Sequence, residues 1–431
     1  MRKKMKSIII ICLAIVVVEL IIMSIVKISR ERGIDRINFL NDIIKVDDGY
    51  VAVGASDFHN SKFVSEVLFE YTNQENKKKQ DIIATQSRIA KYDDNMNLVW
   101  ENTFPNKYDS NFYSVVKTVD GYIAVGSMVK NYEQIDANTR TALIVKYNLN
   151  GQKVWENTYS VLSDTEFYKI INDDDSFVVV GQSIYENLEM GTHITGGGII
   201  VRYDKDGKEL AHNNYGGNKS GLFNDIIKVN DGYIVCGKDA ANYGIVVKFK
   251  KDFNRDEKDL NLITKKVMWQ RTYANTDNDG FKGMALINDK IYTVGALNVS
   301  GEKDTEGNTI FKYAAGFVVY DKNGKYVNKV LMNDDTHNQF NSVVAMNNKL
   351  YLSTLLDLDN VKKNKVQKSA LIQYGLEENK FIDTHKFDGN KNYIVNKLIN
   401  IDNKLFYVGT ENNNCSFYGC DFKDVMEYFD K

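Results

Sequence analysis

The stretch FNDIIKVNDGYIVCG, Phe223 to Gly237, recurs along the chain, and a run that returns at near-constant spacing restricts the possible folds more than any other feature. In register with it stand LNDIIKVDDGYVAVG ending at Gly54, FYSVVKTVDGYIAVG at Gly126 and FYKIINDDDSFVVVG at Gly181. Three looser copies follow: FKGMALINDKIYTVG ending at Gly295, FNSVVAMNNKLYLST at Thr354 and VNKLINIDNKLFYVG at Gly409. The end points lie 72, 55, 56, 58, 59 and 55 residues apart, one insertion in an otherwise regular period. Seven units replace the two or three domains that 431 residues would otherwise suggest with a single repeat array.

The second unit divides into four β-runs, FYSVVKTV, YIAVG, ALIVKYN and KVWENTY, separated by Val-Asp-Gly and Asn148-Leu149-Asn150-Gly151. Asp, Asn and Gly supply the positive φ that tight hairpins need. The third and fourth runs recur at 89–104, 199–215, 246–273 and 317–330, the sixth unit offers ALIQYG, and FYGCDFKDVMEYF at 417–429 supplies a last hairpin. Four antiparallel strands repeated seven times predict an all-β, seven-bladed β-propeller of four-stranded blades. The units resemble bacterial propeller repeats of the delta-60 type, membrane-anchored or secreted. That resemblance rests on the Asp120-Gly121 turn with Gly126 and on the later turn Asp204-Lys205-Asp206-Gly207, and covers about 395 residues. It implies the fold and leaves activity open, because propellers host binding, catalytic and scaffolding roles alike. The last three units depart from it, with Asn-Asp-Lys, Asn-Asn-Lys and Asp-Asn-Lys in place of Asp-Gly. Trp100, Trp155 and Trp269, the only tryptophans, fall at one place in the fourth run, which predicts packing between blades.

Residues 7–26 form an apolar run of 20, interrupted by Glu19, and 20 residues at about 1.5 Å each cover a hydrocarbon core of about 30 Å. Arg2, Lys3, Lys4 and Lys6 precede it, and no small-x-small cleavage site follows. The expected organisation is a cytoplasmic tail (1–6), a single-pass transmembrane signal anchor (7–26), a tether (27–38) and an extracytoplasmic propeller at the cell membrane (39–431). A removable secretion signal is the alternative, and it also places the repeats outside. Without the seven basic and two acidic residues of positions 1–32, 48 Lys+Arg face 55 Asp+Glu, a net charge of −7. This is no nucleic-acid binder's basic stripe, and no nucleic-acid partner is expected. Cys236 falls in a strand, and Cys415 and Cys420, five apart, imply no disulfide framework.

Chemistry has little to rest on. His59, His193, His212, His337 and His385 lack zinc spacing, and Gly217 to Gly221 holds its serine one place late for a nucleophile elbow. Gly196-Gly197-Gly198 leads into a strand rather than a helix, which favours a bulge over a phosphate cradle. Asn275 to Gly280 opens like a calcium loop, but its twelfth position is Leu286. Tyr71, Tyr132, Tyr185, Tyr243 and Tyr313 in the second-to-third connections are no more than composition predicts. No catalytic residue, metal or cofactor is expected. The expected role is a binding or scaffolding module for an envelope protein or glycan. The alternative is a cell-wall polysaccharide hydrolase or lyase, which would need paired carboxylates in the channel mouth. If the first strand is innermost, second-to-third and interblade connections share one rim, and the insertion Glu70 to Asp81 marks that rim for binding. Phe253 to Leu262 then belong to the opposite rim.

Overall fold

A computed structural model describes residues 38–57, 85–106, 109–129, 140–160, 164–184, 197–215, 221–239, 243–253, 266–273, 280–303, 309–332, 337–356, 368–387, 392–412 and 423–424. The sequence rule for a blade reappears directly: in the second unit the strands are Ser110–Thr118, Gly121–Val129, Arg140–Asn148 and Lys153–Tyr159, paired antiparallel in chain order. Every described element is a β-strand. Six sheets have four strands and one has three, so the expected seven four-stranded blades are six. In the last sheet Lys423–Asp424, the described part of the expected carboxyl-terminal hairpin, pairs against Tyr407 and Phe406. That unit lacks both the fourth-strand tryptophan of units one, two and four and the Asp-x-x-Gly turn of units three and five. The fourth strand of blade six, Lys380–Lys386, carries neither signal and was not legible in the repeat. The expected tail and span lie outside the described residues, as does the tether up to position 37. Among the described residues no helix is long and apolar enough to cross a membrane.

The first strands, from Asn38–Val46 in blade one to Asn392–Ile401 in the seventh sheet, pack side by side around the axis, each against the next and the last against the first. The apolar core is therefore not central. It consists of seven clusters, one at each junction between successive sheets, such as Val53, Ile89 and Phe104 against Phe112, Leu143 and Val145. Middle strands are sandwiched between neighbours and are buried almost throughout, whereas fourth strands such as Lys153–Tyr159 lie on the perimeter and are largely exposed. Among the described residues no strand crosses the seam between the first and last sheets. Leu40, Ile43 and Tyr50 pack there against Ile401, Phe406 and Val408.

Each unit's closing glycine is explained by a bulge. Every first strand shifts register immediately after its leading apolar residue, between Phe112 and Ser114 in blade two, for example, so one residue per unit stands unpaired. The glycine on the second strand faces that irregularity, and a Cβ on Gly126 would lie 1.8 Å from the Asn111 carbonyl oxygen. Blade six has Thr354 there, whose hydroxyl donates to the corresponding Gln339 carbonyl at 2.9 Å. The turns that lose Asp-Gly keep their function, because Asn288, Asp289, Asn347, Asn348, Asp402 and Asn403 all adopt φ between 49° and 61°. Asn and Asp tolerate that region better than other side chains.

The tryptophans clasp the next blade, as expected. Trp100 lies over Gly151, Trp155 over Gly207 and Trp269 over Gly324, so close that a Cβ on any of these glycines would sit 2.6–2.7 Å from the indole. Two residues along the same strands, Asn102 and Asn157 donate to the Gly151 and Gly207 carbonyls at 2.9 and 2.8 Å. The clasped turn is itself fixed by its first residue: Asp204 Oδ1 accepts from the Asp206 and Lys208 amides at 2.9 Å each.

Candidate functional site: the central channel

Two residues of each repeat face the axis. The bulged position after the leading apolar residue reads Asn41, Tyr113, Tyr168, Asn224, Lys282, Asn341 and Asn396 around the ring. The next position reads Asp42, Ser114, Lys169, Asp225, Gly283, Ser342 and Lys397. Most of these line a cavity of about 320 Å³. A second cavity of about 420 Å³ runs along the later first-strand residues Ile43 to Lys45 and Ile399 to Asp402, and shares Lys169 and Lys397 with the first. The bulge lies near the start of the first strand. The first cavity therefore faces the rim that carries the interblade and second-to-third connections, and the second faces the tight first hairpins.

A recurring staple ties neighbouring first strands together. Asn41, Asn224 and Asn396 each donate through Nδ2 to the leading residue's carbonyl of the next sheet: Phe112 at 2.8 Å, Phe281 at 2.6 Å and Leu40 at 2.9 Å. After Asn41 and Asn224 the following residue accepts from that same sheet's backbone, Asp42 from Val115 at 3.4 Å and Asp225 from Met284 at 3.0 Å, and in blade six Ser342, which follows Asn341, accepts from the Leu398 amide of the seventh sheet at 3.0 Å. The bond from Asn396 to Leu40 closes the ring.

Asp42, 1% exposed, is the electrostatic centre. It accepts from the Ile43 amide at 3.0 Å, the Ser114 hydroxyl at 2.6 Å, Lys169 at 3.1 Å and Lys397 at 3.0 Å. Burial would push its carboxyl up, but the two ammonium groups and Ser114 outweigh burial and hold it well below the usual carboxylate range. Lys397 is pushed down to about 8 by burial and by Lys169, against the pull of Asp42. Lys169 ends above its ordinary value, since Asp42 and Asp225 overcome its burial. Lys282 reaches solvent along the channel while the walls enclose it, and this enclosure, with the charge on Lys238, lowers its pKa. No described residue offers its ammonium a hydrogen bond. On the wall formed by blades two and three, Tyr113 and Tyr168 meet edge to face at 5.4 Å, both bonded to the buried Glu166 at 3.3 and 3.2 Å. Burial and Glu166 push Tyr113 up to about 12, so both phenols of this wall stay protonated at neutral pH.

The carboxylates of the channel are fixed. Asp42 is held ionised and cannot serve as a proton donor, and Asp225 accepts from the Ile226 and Met284 amides at 2.9 and 3.0 Å. Among the described residues no group of His, Cys, Asp and Glu could hold a metal. Positions 274–279 of the calcium-like turn, His59, His193, Tyr71, Tyr132, Tyr185, positions 216–220, Cys415, Cys420 and the insertion at 70–81 lie outside the described residues. His212 is bonded to Glu209, and His337 packs edge to face on Tyr313 at 5.6 Å. At the triple glycine Gly198 pairs in regular register with Gln182 and lies against the Phe223 ring, and Gly196 lies outside the described residues. Cys236 is buried and unpaired in its strand. The channel columns escaped sequence reading, although the two positions after each leading apolar residue of the aligned repeats would have located them.

No family model matches the chain, and no curated protein does. Solved structures similar to it include Sqt1 from Chaetomium thermophilum, at 7% identity and TM-score 0.48, over 87% of this chain and 81% of that one. The Neurospora crassa Pan2 WD40 domain matches at 9% identity and TM-score 0.43, over 76% and 82%. A putative 6-phosphogluconolactonase from Bacteroides uniformis matches at 9% and 0.43, over 82% and 92%.

Proposed function

We propose that this chain is a seven-bladed propeller of the delta-60 repeat type, with the three-stranded sheet as its seventh blade, held at the cell membrane by residues 7–26. It presents its connection rim, outside the cytoplasm, to an envelope protein or glycan as a binding or scaffolding module. The observation that carries this reading is the asymmetry of the channel. The cavity on the connection rim is lined by side chains that vary from unit to unit, while the carboxylates a hydrolase or lyase would need are occupied in joining blades. Loop variation over a rigid ring is how repeat proteins present binding faces.

The test is capture by cross-linking from intact cells with three tagged proteins: the full chain, a deletion of Thr72 to Gln80, and a deletion of Asn254 to Asn261. Loop shortening costs little stability, about 0.6 kcal/mol per halving or doubling of length, so all three should fold. Loss of partner in the first deletion alone supports the reading. Equal capture by both deletions, or loss in the second only, refutes the rim assignment, and protection of the repeats from protease added to protoplasts refutes the topology.

A further inference from the structure

The channel cavity on the connection rim has a charge surplus. Lys169, Lys282 and Lys397 bring three ammonium groups to the two channel columns, against the carboxylates of Asp42 and Asp225. Asp42 is shared by Lys169 and Lys397, at 3.1 and 3.0 Å, while Lys282 has no acceptor among the described residues. One positive charge is therefore uncompensated, in an enclosure where water screens it less than at an open surface. The cavity is ready for one anionic group.

The amides narrow the chemistry further. Asn41, Asn224 and Asn396 have their Nδ2 groups committed to carbonyls of the next sheet, and a carbonyl can only accept, so the amide orientation is fixed. Their Oδ1 atoms, to which no described residue donates, remain as acceptors in the cavity wall. Oriented acceptors select hydroxyl or N–H donors rather than a bare anion. Gly283, which stands where other units carry a side chain, leaves room beside Asp225. The volume of about 320 Å³ is at the small end of ligand pockets, which run from about 300 to 1,000 Å³.

We infer that this cavity binds a hydroxyl-rich monoanion of the sugar-acid class, with Lys282 taking the carboxylate and Asn41, Asn224 and Asn396 accepting from ligand hydroxyls. The inference rests on the reading of this rim as the binding face and names the ligand chemistry that the channel recognises. The sugar acid is either free or the terminal unit of a glycan.

The experiment is calorimetric titration of the full-length protein in mild detergent at pH 7 with D-glucuronate, D-glucose, acetate, inorganic phosphate and a short oligouronide. Glucuronate should bind at least about tenfold more tightly than glucose, which lacks the charge, and than acetate, which lacks the hydroxyls. Lys282→Gln should weaken glucuronate by about tenfold or more with an unchanged melting temperature, since Lys282 bonds no described residue, and Lys282→Arg should restore most of the affinity. Tighter binding of the oligouronide supports the inference with a glycan as the source; equal or weaker binding supports it with a free sugar acid. Absence of glucuronate binding, equal binding of acetate or phosphate, or unaltered affinity in Lys282→Gln overturns it. If glucuronate fails while capture still depends on Thr72 to Gln80, only the ligand chemistry is wrong. If glucuronate binds while capture ignores that segment, only the scaffold reading fails.

Discussion

Replacing Asp42 by Asn tests whether the ring is closed electrostatically. The carboxylate is 1% exposed and joins four sectors: its own strand, Ser114 and the Val115 amide in blade two, Lys169 in blade three, and Lys397 across the seam. Asparagine keeps the shape and one acceptor but leaves two ammonium groups facing a neutral amide. Removing one partner from a buried ion pair costs about 3–5 kcal/mol, and the partial exposure of Lys169 and Lys397, 19% and 24%, puts the expectation at the lower bound, about 3 kcal/mol. Asp47, 91% exposed in its pair with Lys117, supplies the control, and Asp47→Asn should cost less than about 0.5 kcal/mol. Urea unfolding of wild type and both variants reads these differences. The pH dependence has a definite sign. The Asp42 pKa is depressed in the folded state, so its contribution is complete above the ordinary carboxylate value of 3.8 and declines as pH falls below it toward the depressed folded value. The gap between wild type and Asp42→Asn should be constant from pH 5 to 7 and close below about pH 4. A variant within about 1 kcal/mol of wild type at pH 7, or a gap indifferent to acid, would refute a seam held by this carboxylate.

Gly126→Ala puts a Cβ 1.8 Å from the Asn111 carbonyl and should destabilise by about 1–3 kcal/mol or more, measured by the same unfolding; a neutral effect would mean that the bulge does not require glycine. Trp155→Ala removes a half-buried indole from Gly207 and should cost about 3 kcal/mol, whereas Asn157→Ala, which deletes one bond to the same turn, should cost about 1 kcal/mol. Equal losses would contradict packing as the main part of the clasp. Sugar-acid affinity should fall as pH rises past about 8, because Lys397, which faces Asp42, Lys169 and Asp225 from the first, third and fourth sectors, then loses its charge and the channel its surplus. Affinity unchanged from pH 7 to 9.5 would show that the surplus charge does not bind the ligand.

The repeat announced the blade because its recurring residues are those that build one: apolar alternation, hairpin turns, a closing glycine and, in three units, the fourth-strand tryptophan. It could not announce the channel, for two physical reasons. Functional side chains occupy columns in which the copies differ, so aligning them for likeness averages away Lys282 against Asn341 and Gly283 against Asp225. The second reason is the bulge. In a regular strand, consecutive residues point to opposite faces, and a reader applying that period would send one of Asn224 and Asp225, or of Asn396 and Lys397, away from the axis. The register shift between the leading apolar residue and the third position brings both members of each pair to the same cavity. The irregularity that faces the closing position of the second strand thus lets the third, fourth, sixth and seventh units each contribute two adjacent side chains to the cavity wall. A sequence shows this only as a recurring glycine, replaced by Thr354 in the sixth unit, opposite two adjacent residues, and in the first, fourth and seventh units the bulged asparagine supplies both the staple to the next sheet and part of the cavity wall.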